Sequence, residues 1–326
     1  MNTKRAFTLV EILTVIVIIS ILATLTVLAV AGAMRASKRA KIGWEMSQIS
    51  MALEQYKNEF GEYPPDLFDV EAVVRHVKKR WPRLNWAALN AGVLPSSMDA
   101  EAQLIRNAIN QTYKAYDSRV DFTQSNAPLG ALALWLGGFP NADGKLSGFF
   151  ADPENPFTPP ATGGITYDQK VFLDLELDGD KGKRVRIYKP TWNDPPIPVI
   201  GNEIRDVFVP FVYFRARSGG GISAYNPGVQ YVTDYNGSTI TDSEYDWCFP
   251  YADSMETNGS DVTIRWKNPT TYQLIHPGLD GKFGKRTNNG VLESVRVLKT
   301  GANVGVEDLD NITNFSEYKE LKSILP

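Results

Sequence analysis

The chain has 326 residues and a formal net charge of −3, with 43% hydrophobic and 22% charged residues, an ordinary balance for a folded protein whose slight acidity argues against a general nucleic-acid binder. Its single cysteine, Cys248, excludes an intramolecular disulfide. Its two histidines, His76 and His276, leave little material for a histidine-rich zinc site or a Cys/His catalytic pair.

Near the N-terminus, "KRAFTLVEIL" (4–13) places Lys4 and Arg5 before an apolar run and Glu11 inside its first turns. From Ile12 to Met34 no residue is charged. As a helix that stretch is about 35 Å long, enough to cross a bilayer core of about 30 Å. A cleaved secretory signal has a shorter apolar region, about 7 to 15 residues, and no acid in it. A plain anchor has no use for Glu11 either, since an acid at helix depth costs about 2.5 to 3.5 kcal/mol. A carboxylate in that place implies a partner. Arg35, Lys38, Arg39 and Lys41 follow the run, and a simple count of cations would put the C-terminal side in the cytoplasm.

"KRAFTLVEIL" resembles the prepilin leader of type IV pilins and type II secretion pseudopilins: a short basic leader, a small residue, then Phe-Thr-Leu-x-Glu opening the apolar helix. The resemblance implies cleavage by prepilin peptidase between Ala6 and Phe7, N-methylation of Phe7, and a role for Glu11 in offsetting the Phe7 amine of a neighbouring subunit. One departure is Ala6, where the family usually has Gly. The resemblance also implies an extracytoplasmic body, against the cation count, and the specific motif outweighs that count.

Beyond the membrane run, Ile42, Met46, Ile49, Leu53, Tyr56 and Phe60 recur at spacings of three and four, the stripe of an amphipathic helix. Gly61 and "YPP" (63–65) end it. One helix over about 7–60, near 80 Å long at about 1.5 Å per residue, is predicted. Gly32 and Gly43 are expected to bend or loosen it. The stretch "YKNEFGEYPPDL" also resembles the end of this helix in major pseudopilins.

Residues 66–160 read as helices and loops. Leu67, Val70, Val74 and Val77 predict a helix over Asp66–Arg80, ending in the basic run "RHVKKRWPR" (75–83), read as a solvated helix end. A second helix is predicted over Asp99–Tyr116, and a third in "NAPLGALALWLGGFP" (126–140), closed by Gly137-Gly138 and apolar nearly all round, hence buried. "WLGGFP" with "DPENPF" resembles enlarged pilin-like proteins of planctomycete type, which adds no activity.

"VFLDLELDGDKGKRVRIYKP" (171–190) predicts a hairpin turning at "DGDKG", with acids of one strand facing arginines of the next. As a calcium loop of the EF-hand type it has Glu176 and Val185 at key positions and does not fit. Further strands are predicted in 207–218 and 270–284, in a sheet covering the Ile42–Phe60 stripe. "GLDGKFG" (278–284) resembles the calcium-binding loop of major pseudopilins, which makes Asp280, with Asp308 and Asp310 of "VEDLDNITNF", a candidate calcium set. The other reading is a tight turn at Asp280-Gly281.

The expected fold is α+β, a pilin fold. It comprises a leader (1–6), a transmembrane or filament-core helix half (7–34), an amphipathic half (35–60), a helical and loop insertion (61–164) and a β-rich C-terminal body (165–326). The expected function is a non-enzymatic structural subunit of a type II secretion pseudopilus or type IV pilus-like filament, held in the inner membrane with its body in the periplasm. Its expected partners are prepilin peptidase, like subunits, an inner-membrane assembly platform and the lipid bilayer, with no nucleic acid. The competing class is an extracytoplasmic binding or enzymatic domain on a pilin-like anchor, left open by the large body and its seven tryptophans.

Overall fold

The structure is a computed structural model and describes residues 8–89, 92–122, 127–175, 185–188, 196–204, 207–217, 225, 229–230, 247–259, 261–284 and 295–325. The architecture is α+β, with two compact units, Met1–Lys41 and Ile42–Pro326. Helix α1 (Leu9–Phe60) contributes its first part to one and the remainder to the other.

In the first unit the large apolar side chains from Leu9 to Met34 that are described are exposed. The helix is long and apolar enough to cross a membrane. Its few hydroxyls do not conflict with lipid. Thr14, Ser20, Thr24 and Thr26 donate to the carbonyls of Val10, Ile16, Ser20 and Leu22 at 2.7–2.8 Å, so each polar group is satisfied within its own helix.

In the second unit the predicted stripe is the buried face of α1. Ile42, Met46, Ile49, Leu53 and Tyr56 are buried and Phe60 partly so. The cover is not the sheet alone. Tyr56 and Phe60 pack their rings on Phe172, and Tyr56 stacks on His76 of α2 (Val70–Arg80). Farther back, Glu45 accepts from Asn202 Nδ2 of β2 (Ile197–Ile204) at 3.1 Å. Gly43 has a different purpose from the expected bend. The helix is continuous there, and a Cβ at this position would lie 2.9 Å from the carbonyl oxygen of Tyr318, so the glycine lets the C-terminal loop cross closely.

Helix α2 starts later than predicted. Leu67 sits at φ +63, and Asp69 caps the helix by accepting from Ala72 N, so the first helical residue is Val70. In the basic run, Arg75 pairs with Glu71, Lys78 with Glu101, Lys79 with Glu62, Arg80 with Asp168 and Arg83 with Glu154, a face already neutralised by protein carboxylates. A four-residue helix not predicted, α3 (Trp86–Leu89), precedes α4 (Met98–Tyr116), which Ser97 caps through Ala100 N. The third predicted helix is a 3-10 turn, Ala127–Gly130, running into α5 (Ala131–Gly137), buried throughout and closed by Gly138 at φ +75.

The predicted 171–190 hairpin is not the observed pairing. Residues 171–175 form no strand: Phe172 N donates to Leu136 O and Leu146 N to Leu175 O, tying the segment to α5 and the loop after it. Asp174 pairs with Lys145 rather than with a cross-strand arginine. The turn at 178–182 lies outside the described residues. Strand β1 (Val185–Tyr188) instead joins β2 and β3 (Val207–Pro210) in an antiparallel sheet, Val185 opposite Ile200 and Gly201 opposite Pro210. The "VFVPFVYFR" run breaks at Phe211 into β3 and β4 (Val212–Arg215), so it serves two sheets.

β5 (Val229–Gln230) pairs with β6 (Trp247–Cys248). Next come β7 (Tyr251–Asn258), β8 (Asp261–Trp266), β9 (Tyr272–His276), β10 (Arg296–Val297) and β11 (Ile312–Thr313). They form the sheets β10-β7-β8 and β11-β9-β4, antiparallel except for the parallel β10–β7 pair.

Candidate functional site

Ala6 and Phe7 lie outside the described residues. Glu11 is described, in the first turn of α1, and it makes a contact the spacing reading overlooked. Thr8 N and Thr8 Oγ1 both donate to Glu11 Oε2 at 2.8 Å, and Glu11 N donates to Thr8 Oγ1 at 3.3 Å. This is a reciprocal capping box, with Thr8 as cap and Glu11 three residues on. The signal was present in "TLVE", a Thr-x-x-Glu opening an apolar run. The carboxylate therefore has an internal partner in the single chain, and it sits beside the positive end of the helix dipole.

Of the candidate calcium set, the structure brings Asp280 and Asp310 together and turns Asp308 elsewhere. Asp310 Oδ2 accepts from Leu279 N and Asp280 N at 2.9 and 3.2 Å, and its Oδ1 is buried without a hydrogen-bond partner. Burial, with the charges of Asp310 and Glu307 adding to it, pushes the Asp280 carboxyl up to about 6. The Asp280-Gly281 turn is present too, with Gly281 at φ +75 and Lys282 N donating to Asp280 Oδ1. Asp308 is taken up by protein donors: Arg296 Nε at 3.3 Å, Tyr251 Oη at 2.7 Å and Gly305 N at 2.8 Å. Among the described residues no group of three or more His, Cys, Asp or Glu is arranged to hold a metal ion. A cation here would rest on Asp280, Asp310 and backbone carbonyls, a short donor set for an ion that takes six to eight oxygens. His276 is not part of it; its Nε2 bonds Asn202 Oδ1 at 2.9 Å, and burial pushes its imidazole down to about 3.

One arrangement has the order of a catalytic relay. Arg80 Nη1 donates to Tyr56 Oη at 3.2 Å, Tyr56 Oη lies 2.6 Å from His76 Nε2, and His76 Nδ1 lies 3.0 Å from Glu62 Oε1. These contacts assign a neutral imidazole protonated at Nδ1. Tyr56 is 0% and His76 1% exposed, so no substrate reaches them. Burial pushes the Tyr56 hydroxyl up to about 12, the reverse of nucleophile activation. The relay holds α1, α2 and β4 together through Glu62, which Arg215 also contacts at 2.8 Å.

The same network makes stability depend on pH. Burial pushes the His76 imidazole below the usual histidine range, opposed in part by Glu62. Burial also works against ionised Glu62, but its bonds to His76 and Arg215 hold the carboxyl down, to about 2. Below about pH 6.5 the unfolded chain takes up a proton that folded His76 refuses, so stability is full above that pH and declines as pH falls, by up to about 1.4 kcal/mol per unit. Denaturant unfolding at about pH 7.5 and 5.5 should show a larger loss for the wild type than for His76→Gln; equal losses would refute this assignment.

Residues 1–32 match a sequence-family model described as the prokaryotic N-terminal methylation motif. This prepilin-type motif at the N-terminus indicates a type IV pilin-like protein. The motif implies processing by prepilin peptidase, and with the apolar helix it indicates membrane anchoring and an extracytoplasmic body. Comparison of this pilin-like chain with curated proteins and with solved structures gives no match.

Proposed function

We propose that the chain is a non-enzymatic structural subunit of a type II secretion pseudopilus or type IV pilus-like filament. In this reading it is cut between Ala6 and Phe7, N-methylated at Phe7 and assembled by bundling of α1 with like subunits at an inner-membrane platform. The observation that carries the reading is Glu11: a carboxylate at the head of the apolar, exposed first part of α1, inside a matched methylation motif. Paired with the Phe7 amine of a neighbour, it turns two charges that are each costly in apolar surroundings into one satisfied contact. The absence of a C-terminal cysteine pair and the "GLDGKFG" loop favour the pseudopilin form. The body faces the periplasm, without nucleic-acid contact. As for the competing enzymatic domain, the Tyr56–His76–Glu62 relay gives it no support because it is sealed from solvent.

Two substitutions separate capping from charge. Glu11→Gln keeps a side chain able to complete the capping box and removes the charge, whereas Glu11→Leu removes both. Both should reduce filament assembly by tenfold or more, the scale of a lost charge-assisted hydrogen bond of about 1.5–3 kcal/mol. Wild-type assembly by Glu11→Gln would refute the charge pair.

A further inference from the structure

The structure assigns to the loop region between α5 and residue 175 a binding pocket for a neutral, hydroxyl-rich ligand, a glycan. The cavity holds about 570 Å³, inside the range of about 300–1,000 Å³ typical of small-molecule sites. Its apolar wall is Leu146, Val171 and the ring of Tyr167. That ring is fixed from behind: it stacks on Phe150 with centroids 5.4 Å apart, and its Oη donates to Pro140 O at 3.0 Å. A rigid aromatic wall of this kind takes the C–H face of a sugar ring without losing side-chain freedom on binding.

The polar wall has the donors and acceptors that hydroxyls need. Asn141 Oδ1 is occupied by Asp143 N and Lys145 N, both at 3.0 Å, which fixes the side chain and leaves its amide nitrogen as a donor. Ser147 Oγ donates to Lys145 O at 3.1 Å and keeps its oxygen lone pairs. The Gln169 side chain makes no hydrogen bond among the described residues, so both ends of its amide are open. At the rim Lys145 and Asp174 pair at 3.1 Å, so the lining charges cancel. Neither a strongly anionic nor a strongly cationic ligand is favoured by such a site, whereas a neutral one can use both side chains as hydrogen-bond partners.

The backbone is held in place for this geometry. Gln169 has φ +53, a left-handed conformation that costs a non-glycine residue on the order of 1 kcal/mol or more. It is kept there by Asp168, whose Oδ1 accepts from Phe149 N and Lys170 N at 3.0 Å and whose Oδ2 accepts from Arg80 at 3.4 Å. A strained polar residue, pinned from both sides and set into a cavity, fits binding better than packing. The pocket shares no residue with the assembly segment, so the two proposals stand or fall separately.

The test is isothermal titration of the full chain in lauryldimethylamine oxide, a detergent without a sugar headgroup. The probes are cellohexaose, maltohexaose, mannohexaose and chitohexaose, with hexagalacturonate as the charged comparator. Saturable binding of at least one neutral oligosaccharide is expected. Gln169→Ala and Asp174→Ala should each weaken it about fivefold, the value of one net hydrogen bond, with unchanged melting. Absence of saturation with all four neutral probes, saturation with hexagalacturonate alone, or parental affinity in both variants would overturn the proposal.

Discussion

Asp308→Ala should lower the unfolding free energy by about 3–5 kcal/mol, a large part of the roughly 5–15 kcal/mol that stabilises an ordinary domain. Asp308 and Arg296 are each 1% exposed, and Arg296 Nε lies 3.3 Å from the carboxylate. Tyr251 donates to the same carboxylate and in turn accepts from Asn311 Nδ2 at 2.7 Å, while Asn311 also donates to Phe283 O at 3.1 Å. Truncation removes the acceptor on which Arg296 Nε, Tyr251 Oη and Gly305 N converge, so several buried donors lose a hydrogen bond at once, each at a cost of about 1–3 kcal/mol. Asp308→Asn, which keeps an oxygen acceptor at the same place, should recover part of the loss. Urea unfolding followed by tryptophan fluorescence checks both; an alanine variant as stable as the wild type would show that the pair does not close the C-terminal region.

Gly138→Ala should cost about 2–6 kcal/mol, combining about 1–3 kcal/mol for a backbone conformation that essentially only glycine adopts with about 1–3 kcal/mol of overpacking. Gly138 has φ +75, and a Cβ there would fall 2.2 Å from the carbonyl carbon and oxygen of Gly148. Both are main-chain atoms, so no side-chain rotation can relieve the overlap. The strands of chain that cross here are bonded on either side, Phe139 N to Gly148 O at 2.7 Å and Gly148 N to Gly137 O at 2.9 Å, so the whole 138–148 loop would have to shift. Gly32→Ala is the matched control, since no atom lies within 4 Å of its added Cβ. A thermal melt in which the two variants coincide would contradict the close crossing.

The long helix was legible because its evidence is local and repeated: an uninterrupted apolar run, then a stripe at spacings of three and four. Helix α4 was placed nearly to the residue for the same reason. The hairpin misled because Val171, Leu173 and Leu175 alternate like a strand, while Leu173 and Leu175 enter the core of a segment bonded through its backbone to Leu136 and Leu146; alternation cannot distinguish the two. Calcium was expected from the resemblance of "GLDGKFG" joined to the later acids of "VEDLDNITNF", but Asp308 and Asp310 face different partners across a single 3-10 turn, Glu307–Asp310. Arg296, the cation that takes Asp308, lies in "ESVRVLK", where nothing in the spacing marks it as buried. Glu11 was found because an acid is conspicuous among hydrocarbons. Its bond to Thr8 lies in the Thr-x-x-Glu spacing, which is common in helices and becomes a cap only where the helix begins at Leu9. The pocket beside Tyr167 could not be read at all, since its walls come from separate turns.

The hydroxyls of α1 have a consequence for how such helices could fit side by side. Thr14, Ser20, Thr24 and Thr26 each spend their proton on their own backbone, so along that stretch none of them has a proton left for a particular group on an adjacent helix. The register of two such surfaces would then be left to the packing of their Ile, Leu and Val side chains, without directed hydrogen bonds from these hydroxyls. Glu11 is the one charged group between Leu9 and Met34. In a bundle of these helices the strongest directional contact would sit at one end, at one carboxylate.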